Sequence, residues 1–348
     1  MNREDSYFSS EKIQLKYKAP AEIDPTQRFQ RSDDILHFSD SSILYKAYDR
    51  ESGSEVTWHE LMISDFTEEE KSDLIDKANR FKTLRCPIIN SLIHSWLNSD
   101  STKLYYITES VWTNSILKNI SENIGDVRSK VIAKWFLPVL QAINYLHSQD
   151  PPIAHNKIML SSMFIKPTTK AVKIIPPVLF INKPVSSSIM IKLRPNTPPD
   201  FLFKCEGPHS DIWSFGLALL FVFTKTEPYT ECKSPMDLVK KLSKYEPPES
   251  LQLVTDKLAA NLISYCLKPP KERKTAAELL NHQFFSQNFD LDKKTSNLQD
   301  DSFVVLFPEK PKPNDANQST SNRDTSKDYI NLPDSGKIGN SSQRIGKK

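Results

Sequence analysis

Glycine is scarce in this chain of 348 residues. Seven glycines occur, where an average usage of about 7% would give roughly two dozen. None of them lies between residues 36 and 46. A loop that wraps closely around phosphate groups needs glycine, because a Cβ atom would hold the backbone away from the ligand. We therefore expect no glycine-rich phosphate-binding loop in that stretch.

Paired cysteines, an excess of one charge and long apolar runs are also missing. The four cysteines are scattered without Cys-x-x-Cys spacing, which predicts neither a zinc site nor a disulfide framework and favours a reducing compartment. A net charge of +3 gives no reason to expect nucleic acid as a partner. The longest apolar run, Phe215–Phe223, is too short to span a bilayer, and residues 1–18 have no apolar core of signal-peptide length. We therefore predict a cytoplasmic protein without a transmembrane segment.

Both ends of the chain are polar and lack a sustained apolar period. Residues 1–28 predict a disordered arm, and residues 287–348 predict a disordered tail. Within the tail, residues 302–308 form a short apolar run of strand-like composition. This run is expected to dock either on the chain's own domain or on a partner protein. The candidate docking residues are Phe303, Val305 and Phe307.

Between the two tails, strand patterns come first and helix patterns follow. Strands are predicted at Ile43–Tyr48, Glu55–Met62 and Leu104–Thr108. Thr67 and Glu70 have the spacing of a capping box and predict the start of a helix. The pattern predicts an α+β protein with a small strand-rich lobe and a larger helical lobe. The predicted helices are Thr67–Leu84, Lys130–His147, Asp211–Thr224, Thr255–Leu267 and Thr275–His282.

Several of these segments resemble the motifs of protein kinases. Asp211-Ile-Trp-Ser-Phe-Gly216 resembles the buried helix of that family, and the segment from Arg273 to Phe285 resembles its last arginine and closing helix. The segment from Tyr145 to His155 resembles the approach to the catalytic loop. Two further segments are similar to the with-no-lysine kinases and closer still to the nuclear receptor-binding protein pseudokinases, namely Glu55-Val-Thr-Trp-His-Glu60 and Asp150-Pro-Pro-Ile153.

The resemblance covers roughly residues 30–286 and implies a bilobal protein kinase-like fold over residues 29–286. It implies an N-lobe at about 29–111 and a C-lobe at about 112–286. In this family the aspartate of the buried helix binds the backbone of the catalytic loop, and the last arginine pairs with an acid at the end of the activation segment. The structural residues implied are His155, Asp200, Asp211 and Arg273.

The phosphate-binding half of the kinase site is degenerate in this chain. Alignment with the family places its strand lysine at His59 and the glutamate of the neighbouring helix at Lys77. An imidazole is mostly uncharged at pH 7, and a lysine opposite it cannot form the ion pair that anchors the family's lysine. The third glycine position, where with-no-lysine kinases carry a substitute lysine, is a serine. The three glycine positions are His37, Ser39 and Ser42.

The catalytic and metal-binding half is degenerate as well. The position of the catalytic aspartate is Lys157, and lysine with its ordinary pKa of about 10.4 cannot accept a proton at pH 7. The magnesium-binding asparagine and aspartate are replaced by Ser162 and Pro176, so no carboxylate remains for Mg²⁺, which prefers oxygen ligands. Thr57 and Phe164 add bulk to the adenine pocket. We therefore expect no metal, and a pocket that is filled or free of nucleotide.

Taken together, the replacements predict a catalytically inactive kinase homologue that acts as a protein-binding scaffold in intracellular signalling and carries no cofactor. Two alternatives stay open. One is a switch that binds ATP without catalysis, and the other is a weak serine/threonine protein kinase with an unorthodox site. The cleft lysines that keep anion binding possible are Lys77, Lys157 and Lys173. The residues name neither the partner nor the oligomeric state.

Overall fold

The structure is a computed structural model that describes residues 21–38, 42–110, 115–122, 127–166, 169–177, 196–203 and 207–295. Within these ranges the chain builds an antiparallel sheet first and a set of helices afterwards. The predicted α+β class with a strand-rich lobe before a helical lobe is therefore confirmed. None of the helices in these ranges is long and apolar enough to cross a membrane.

The sheet of the N-terminal lobe has six strands in the order β1-β2-β3-β4-β6-β5, and all neighbours are antiparallel. The register of β4 on β6 places Thr57 opposite Thr108 and His59 opposite Tyr106. Alternate residues of one strand point to the same face, so Thr57 and His59 share a face. The strands are β1 Glu22–Ile23, β2 Phe29–Phe38, β3 Ser42–Asp49, β4 Glu55–Met62, β5 Leu92–Leu97 and β6 Lys103–Glu109.

Helix α1, Glu68–Lys82, packs on strand β5. Its start is the predicted capping box: the Glu70 amide donates to the Thr67 hydroxyl, and the Thr67 amide donates to the Glu70 carboxylate. Its buried side chains are Leu74, Ala78 and Phe81, which have the helical spacing of i, i+4 and i+7. Burial of this stripe orients the helix and leaves Lys77 on its exposed side.

The C-terminal lobe is organised around helix α4, Pro208–Thr224, which is buried on nearly every side. Gly216 makes this packing possible, because a Cβ there would lie 2.5 Å from the Cβ of Cys266. A two-stranded sheet of β7, Met163–Ile165, and β8, Val172–Ile174, follows the catalytic-loop segment. The other helices are α2 Ile116–Glu122, α3 Ser129–His147, α5 Pro235–Ser243, α6 Lys257–Cys266, α7 Ala276–Leu280 and α8 Gln283–Thr295.

A backbone contact fastens the two lobes to each other. The loop after α1 runs beside β8, where the Ile174 amide donates to the Ile88 carbonyl at 2.8 Å and the Asn90 amide donates to the Ile174 carbonyl at 2.9 Å. These hydrogen bonds tie the helix of the N-terminal lobe to the strand that precedes Pro176. The positions predicted to form a site are thereby held on both sides of one cleft.

Both predicted tails include residues that the structure places in regular elements. Residues 21–28, assigned to the arm, contain β1, which pairs with β2, and Asp24 there is fully buried and accepts hydrogen bonds from the amides of Thr26 and Phe29. Residues 287–295, assigned to the tail, continue helix α8. Both segments are polar, so their order depends on contacts with distant residues that composition does not reveal. The candidate docking residues Phe303, Val305 and Phe307 lie outside the described residues.

Candidate active site

The catalytic-loop segment is held in place by the carboxylate of Asp211. The amides of His155 and Asn156 donate to its two oxygens at 2.7 and 2.8 Å, and His147 Nε2 lies 3.0 Å from one of them. Asp211 is 1% exposed, so these hydrogen bonds replace the water that a buried carboxylate loses. This arrangement is the one that the resemblance implies for a kinase framework.

His155 connects the same loop to the strand on the other side of the cleft. Its Nε2 lies 2.8 Å from the carbonyl of Ile175, and its Nδ1 accepts from the Lys157 amide at 3.2 Å. A ring that accepts at Nδ1 and donates at Nε2 is neutral, and burial lowers the pKa of His155. The neutral imidazole therefore serves as a fixed link between the catalytic loop and the residue before Pro176.

Arg273 and Asp200 form a fully buried ion pair in the C-terminal lobe. Arg273 Nη1 lies 2.7 Å from Asp200 Oδ2, and neither side chain is exposed. The same nitrogen also lies 2.7 Å from the His209 carbonyl, while Nε donates to the Lys268 carbonyl at 2.8 Å. The hydroxyl of Tyr245 lies 3.4 Å from Asp200 Oδ1. The structure thus brings together the acid and the arginine that the resemblance pairs.

At the strand-lysine position, His59 is buried and neutral. Its ring stacks on Tyr106 with centroids 4.3 Å apart, and its Nε2 lies 2.9 Å from the hydroxyl oxygen of Thr108. Because that hydroxyl donates to the Glu109 carbonyl, His59 Nε2 is the donor to it. Burial first, and the positive charge of Lys157 second, lower the pKa of His59 to about 3. At neutral pH this imidazole carries no charge for a phosphate group.

The glutamate position of helix α1 and the glycine positions contribute no complementary charge. Lys77 is exposed on α1, and an ammonium with a neutral imidazole cannot form an ion pair. The backbone of His37 pairs with Leu44 near the end of β2, and Ser42 begins β3 opposite Leu61. Ser39 lies outside the described residues.

Lys157, at the position of the catalytic aspartate, brings a positive charge into the cleft. Its side chain is exposed, yet its charge lowers the pKa of both His59 and His155, which places it between the two lobes. Its backbone carbonyl lies 2.6 Å from the hydroxyl of Ser162. A positive charge on the catalytic loop therefore lies close enough to act on both imidazoles.

The two metal-ligand positions do not fit a magnesium ion. The Ser162 hydroxyl is buried, lies 2.7 Å from the Met159 carbonyl and accepts from the Met159 amide, so the local turn occupies it. Pro176 is buried beside Phe81 and Leu92 and has no oxygen on its side chain. Over the described ranges no group of three or more His, Cys, Asp or Glu side chains could hold a metal ion. No reaction step is therefore assigned to a metal at these positions.

The adenine side of the cleft contains one ion pair that sequence reasoning missed. Lys173 of β8 pairs with Glu109 at the end of β6, and the Ser91 hydroxyl lies 3.2 Å from the same carboxylate. Thr57 is fully buried on β4, and Phe164 is half-buried on β7. Alternation along Lys103–Glu109 would have placed Tyr106 and Thr108 on one face, but no sequence signal joined Glu109 to Lys173.

Comparisons with known proteins give the family. The protein kinase domain model matches residues 39–285, more than half of the chain. The chain is 30% identical over 276 residues to serine/threonine-protein kinase WNK8 of Arabidopsis thaliana, covering 77% of this chain and 48% of the relative. It is 29% identical over 293 residues to the probable serine/threonine-protein kinase WNK10 of the same plant, covering 82% and 55%. The chain thus spans about half the length of these two relatives.

A third relative is covered over most of its length. The chain is 28% identical over 282 residues to the probable serine/threonine-protein kinase WNK5 of Oryza sativa subsp. japonica, covering 80% of this chain and 86% of the relative. All three relatives are named as kinases, and the comparisons contain no indication of an inactive scaffold.

The prediction of a catalytically dead, non-enzymatic scaffold is therefore wrong: the relatives named as serine/threonine-protein kinases indicate an enzyme. That prediction required each charge to come from its customary position. In the structure the charge of Lys157 also lowers the pKa of His59, so a positive charge acts near the strand-lysine position from a different element. The hydrogen bonds around Asp211 and the match to the kinase domain model both indicate the same family. The chain belongs to the protein kinase family, with an affinity to its with-no-lysine members.

Proposed function

We propose that this chain is a weak serine/threonine protein kinase with an unorthodox site. It binds ATP without a magnesium ion at the two customary positions and transfers the terminal phosphate slowly. The observation that carries the proposal is the placement of Lys157, whose charge acts on His59 across the cleft while Asp211 holds the loop behind it. The names of the three relatives support transfer to serine or threonine hydroxyls.

Charge balance supports Lys157 as the main phosphate-binding group. A triphosphate needs positive charge or amide donors around it. His59 is neutral at pH 7, because its pKa is about 3. Lys173 is partly neutralised by Glu109. The charge of Lys157 acts on His59 across the cleft, and its ammonium would bind the β- and γ-phosphate oxygens.

Phosphoryl transfer in this site needs no protein residue that accepts the proton of the substrate hydroxyl. The bond between the γ-phosphorus and the β,γ-bridging oxygen breaks, and a bond between that phosphorus and the substrate hydroxyl oxygen forms. Lys157 cannot take the hydroxyl proton, which therefore goes to water. Phosphoryl transfer depends mainly on positioning and charge stabilisation, so a single cation supports a slow reaction. Loss of the other stabilising groups accounts for the weakness, since one such group contributes about 10²–10³ in rate.

Transfer of labelled γ-phosphate from ATP to a library of serine- and threonine-containing peptides tests this function. We expect slow incorporation that persists in excess EDTA and falls at least about tenfold, or about 1.4 kcal/mol, in Lys157→Met. The exposed Lys271→Met in the helical lobe serves as the control and should behave like the parent. Incorporation that is equal in both variants would overturn the role of Lys157, and absence of incorporation would overturn the kinase proposal.

A second candidate is a switch that binds ATP without transferring phosphate. It is favoured by the Ser162 hydroxyl, which the local turn occupies, and by Pro176 at the other metal position. Thermal stabilisation by ATP in EDTA, together with no incorporation of label, would select this candidate. Stabilisation that requires Mg²⁺ would count against both candidates, because both place the triphosphate on a lysine.

We also propose that the chain acts on protein substrates and binds protein partners in intracellular signalling. We propose the cytoplasm as the compartment. The cysteines among the described residues, Cys86, Cys232 and Cys266, are free, which suits a reducing environment. Fractionation of cells that express the full chain, followed by detection of the chain in the cytosolic fraction, tests this assignment.

A further inference from the structure

A groove on the helical lobe lies apart from the cleft between the lobes. It has a volume of about 170 Å³ and is formed where the loop after α5 meets the end of α6 and the turn that follows α6. Five of its nine lining residues are apolar or aromatic, and two lysines, one glutamate and one serine complete the lining. The lining residues are Lys244, Tyr245, Pro247, Leu251, Ser264, Leu267, Lys268, Pro269 and Glu272.

The size of the groove suits one aromatic ring. A dry apolar cavity of about 150 Å³ is large enough to hold benzene, so about 170 Å³ accommodates the phenyl group of one phenylalanine. Tyr245 supplies a ring wall and is positioned by the hydrogen bond of its hydroxyl to Asp200 and by stacking on Phe203, with centroids 5.9 Å apart. The groove is therefore open but has at least one fixed side.

Two lysines and one glutamate line the groove, and this excess of one positive charge suits an acidic segment. Lys244 and Lys268 are both exposed. Lys244 is only loosely paired with Glu246, at 3.7 Å. An apolar side chain preceded by carboxylates would meet the apolar lining and both ammonium groups together.

The chain carries such a segment just beyond the described residues. Residues 300–307 read Asp-Asp-Ser-Phe-Val-Val-Leu-Phe, which places two carboxylates directly before Phe303. We propose that this segment of the same chain docks in the groove, with the Phe303 ring inserted among the apolar side chains and Asp300 and Asp301 beside Lys244 and Lys268. The proposal stands independently of the proposed kinase activity.

The length of the connecting chain permits this contact. His282 Nε2 lies 2.9 Å from Asn261 Oδ1, which fixes the start of α8 beside α6. From Asn261 to the end of α6 is at most about 9 Å, and α8 with 13 residues is about 20 Å long, at 1.5 Å per residue. The eight residues from Thr295 to Phe303 span up to about 26–29 Å. Phe303 can thus reach the groove unless α8 points directly away from it.

The high effective concentration of a tethered segment favours docking within one chain over docking between chains. A segment joined by a short flexible connection has an effective concentration of about millimolar at a site that it can reach. A partner or a second copy must exceed that value to compete. Occupation of the groove would also restrict Tyr245, and through its hydroxyl the Asp200–Arg273 pair.

Hydrogen exchange in the full chain tests the proposal. We expect the amides of residues 302–307 to exchange at least about tenfold more slowly than in Phe303→Ala, a difference of about 1.4 kcal/mol. Leu251→Arg, in the groove, should abolish this protection. Leu253→Arg serves as its matched control, because Leu253 is 60% exposed and does not line the groove.

Reversal of charges on the groove and on the segment tests the proposal even if Leu251→Arg unfolds the helical lobe. Lys268→Glu should weaken protection about tenfold, and the added changes Asp300→Lys and Asp301→Lys should restore it. Lys257→Glu, at the other end of α6, is the control and should leave protection unchanged. Fast exchange in the parent chain, protection that rises with chain concentration, or protection that survives the groove variants would each overturn docking in cis.

Discussion

The clearest consequence of the site geometry is that His59 makes the stability of the protein depend on pH. The imidazole is buried, and its pKa is lowered to about 3 by burial and by the charge of Lys157. In the unfolded chain it has its ordinary value of 6.5. As pH falls below 6.5, the unfolded state binds a proton that the folded state does not bind. The folded state therefore loses stability relative to the unfolded state.

The magnitude follows from the distance between pH and the unfolded pKa. At pH 7.5 neither state is protonated at His59, and the contribution is close to zero. A pH of 5.0 lies about 1.5 units below the pKa of His59 in the unfolded chain, so the unfolded imidazole is protonated there. The folded imidazole is still neutral at that pH. At about 1.4 kcal/mol per unit, the free energy of unfolding falls by about 2 kcal/mol between pH 7.5 and 5.0 from this residue alone.

The variant His59→Phe isolates this contribution from those of other residues. A phenyl ring keeps the stacking on Tyr106, and the Thr108 hydroxyl keeps its hydrogen bond to the Glu109 carbonyl. His155 also has a lowered pKa, but it is present in both proteins and its effect cancels in the comparison. Urea unfolding of parent and variant at pH 7.5, 6.5, 5.5 and 5.0, followed by tryptophan fluorescence, gives the difference.

We expect the parent to lose about 2 kcal/mol more than His59→Phe over that range, with equal dependence on urea concentration. Trp58 neighbours His59 on β4, so its fluorescence reports on the strand-rich lobe directly. If both proteins lose the same free energy between pH 7.5 and 5.0, His59 is not a buried neutral group, and the argument for Lys157 as its charged neighbour fails with it.

Three further predictions concern the framework. Asp211→Ala and Arg273→Ala should each lower the free energy of unfolding by about 2–4 kcal/mol, because each leaves buried polar partners unpaired; denaturant unfolding against Lys271→Ala checks this, and parent-like midpoints would contradict it. Gly216→Ala should lower stability by about 1–3 kcal/mol, since the new Cβ would lie 2.5 Å from that of Cys266. Gly207→Ala meets nothing closer than 3.4 Å and should melt within a few degrees of the parent, whereas equal melting of both variants would refute the packing argument. Thr67→Ala should lower stability by about 1 kcal/mol through loss of the N-cap, measured by thermal unfolding, with Thr255→Ala outside any helix as the control.

Much of the fold could be predicted because local patterns agree with it. The strand Glu55–Met62 has the predicted bounds, and the start of α1 at Thr67 follows from two side chains three residues apart. The framework pairs of the C-terminal lobe could be expected from the resemblance, since Asp211 and Arg273 lie in segments that resemble a known family. Where a side chain acts through its own neighbours in sequence, the sequence is sufficient.

Elements that depend on distant contacts were missed. Strand β2, Phe29–Phe38, contains Arg31, Asp33 and Asp34 and does not read as a strand. It is a strand because Arg31 is buried against the Tyr45 ring and lies 3.4 Å from Glu60. Composition alone assigns charged residues to solvent, whereas a buried charge is tolerated when its partner is present.

The sequence by itself determined the family and the two-lobed plan, and it predicted which residues replace the customary catalytic ones. Only the tertiary structure decided what the replacements do: that His59 is neutral, that the local turn occupies Ser162, and that the charge of Lys157 enters the cleft. The reason is physical. A residue's identity follows from the sequence, but its charge state and its partners depend on desolvation and on groups that are brought close only when the lobes pack together.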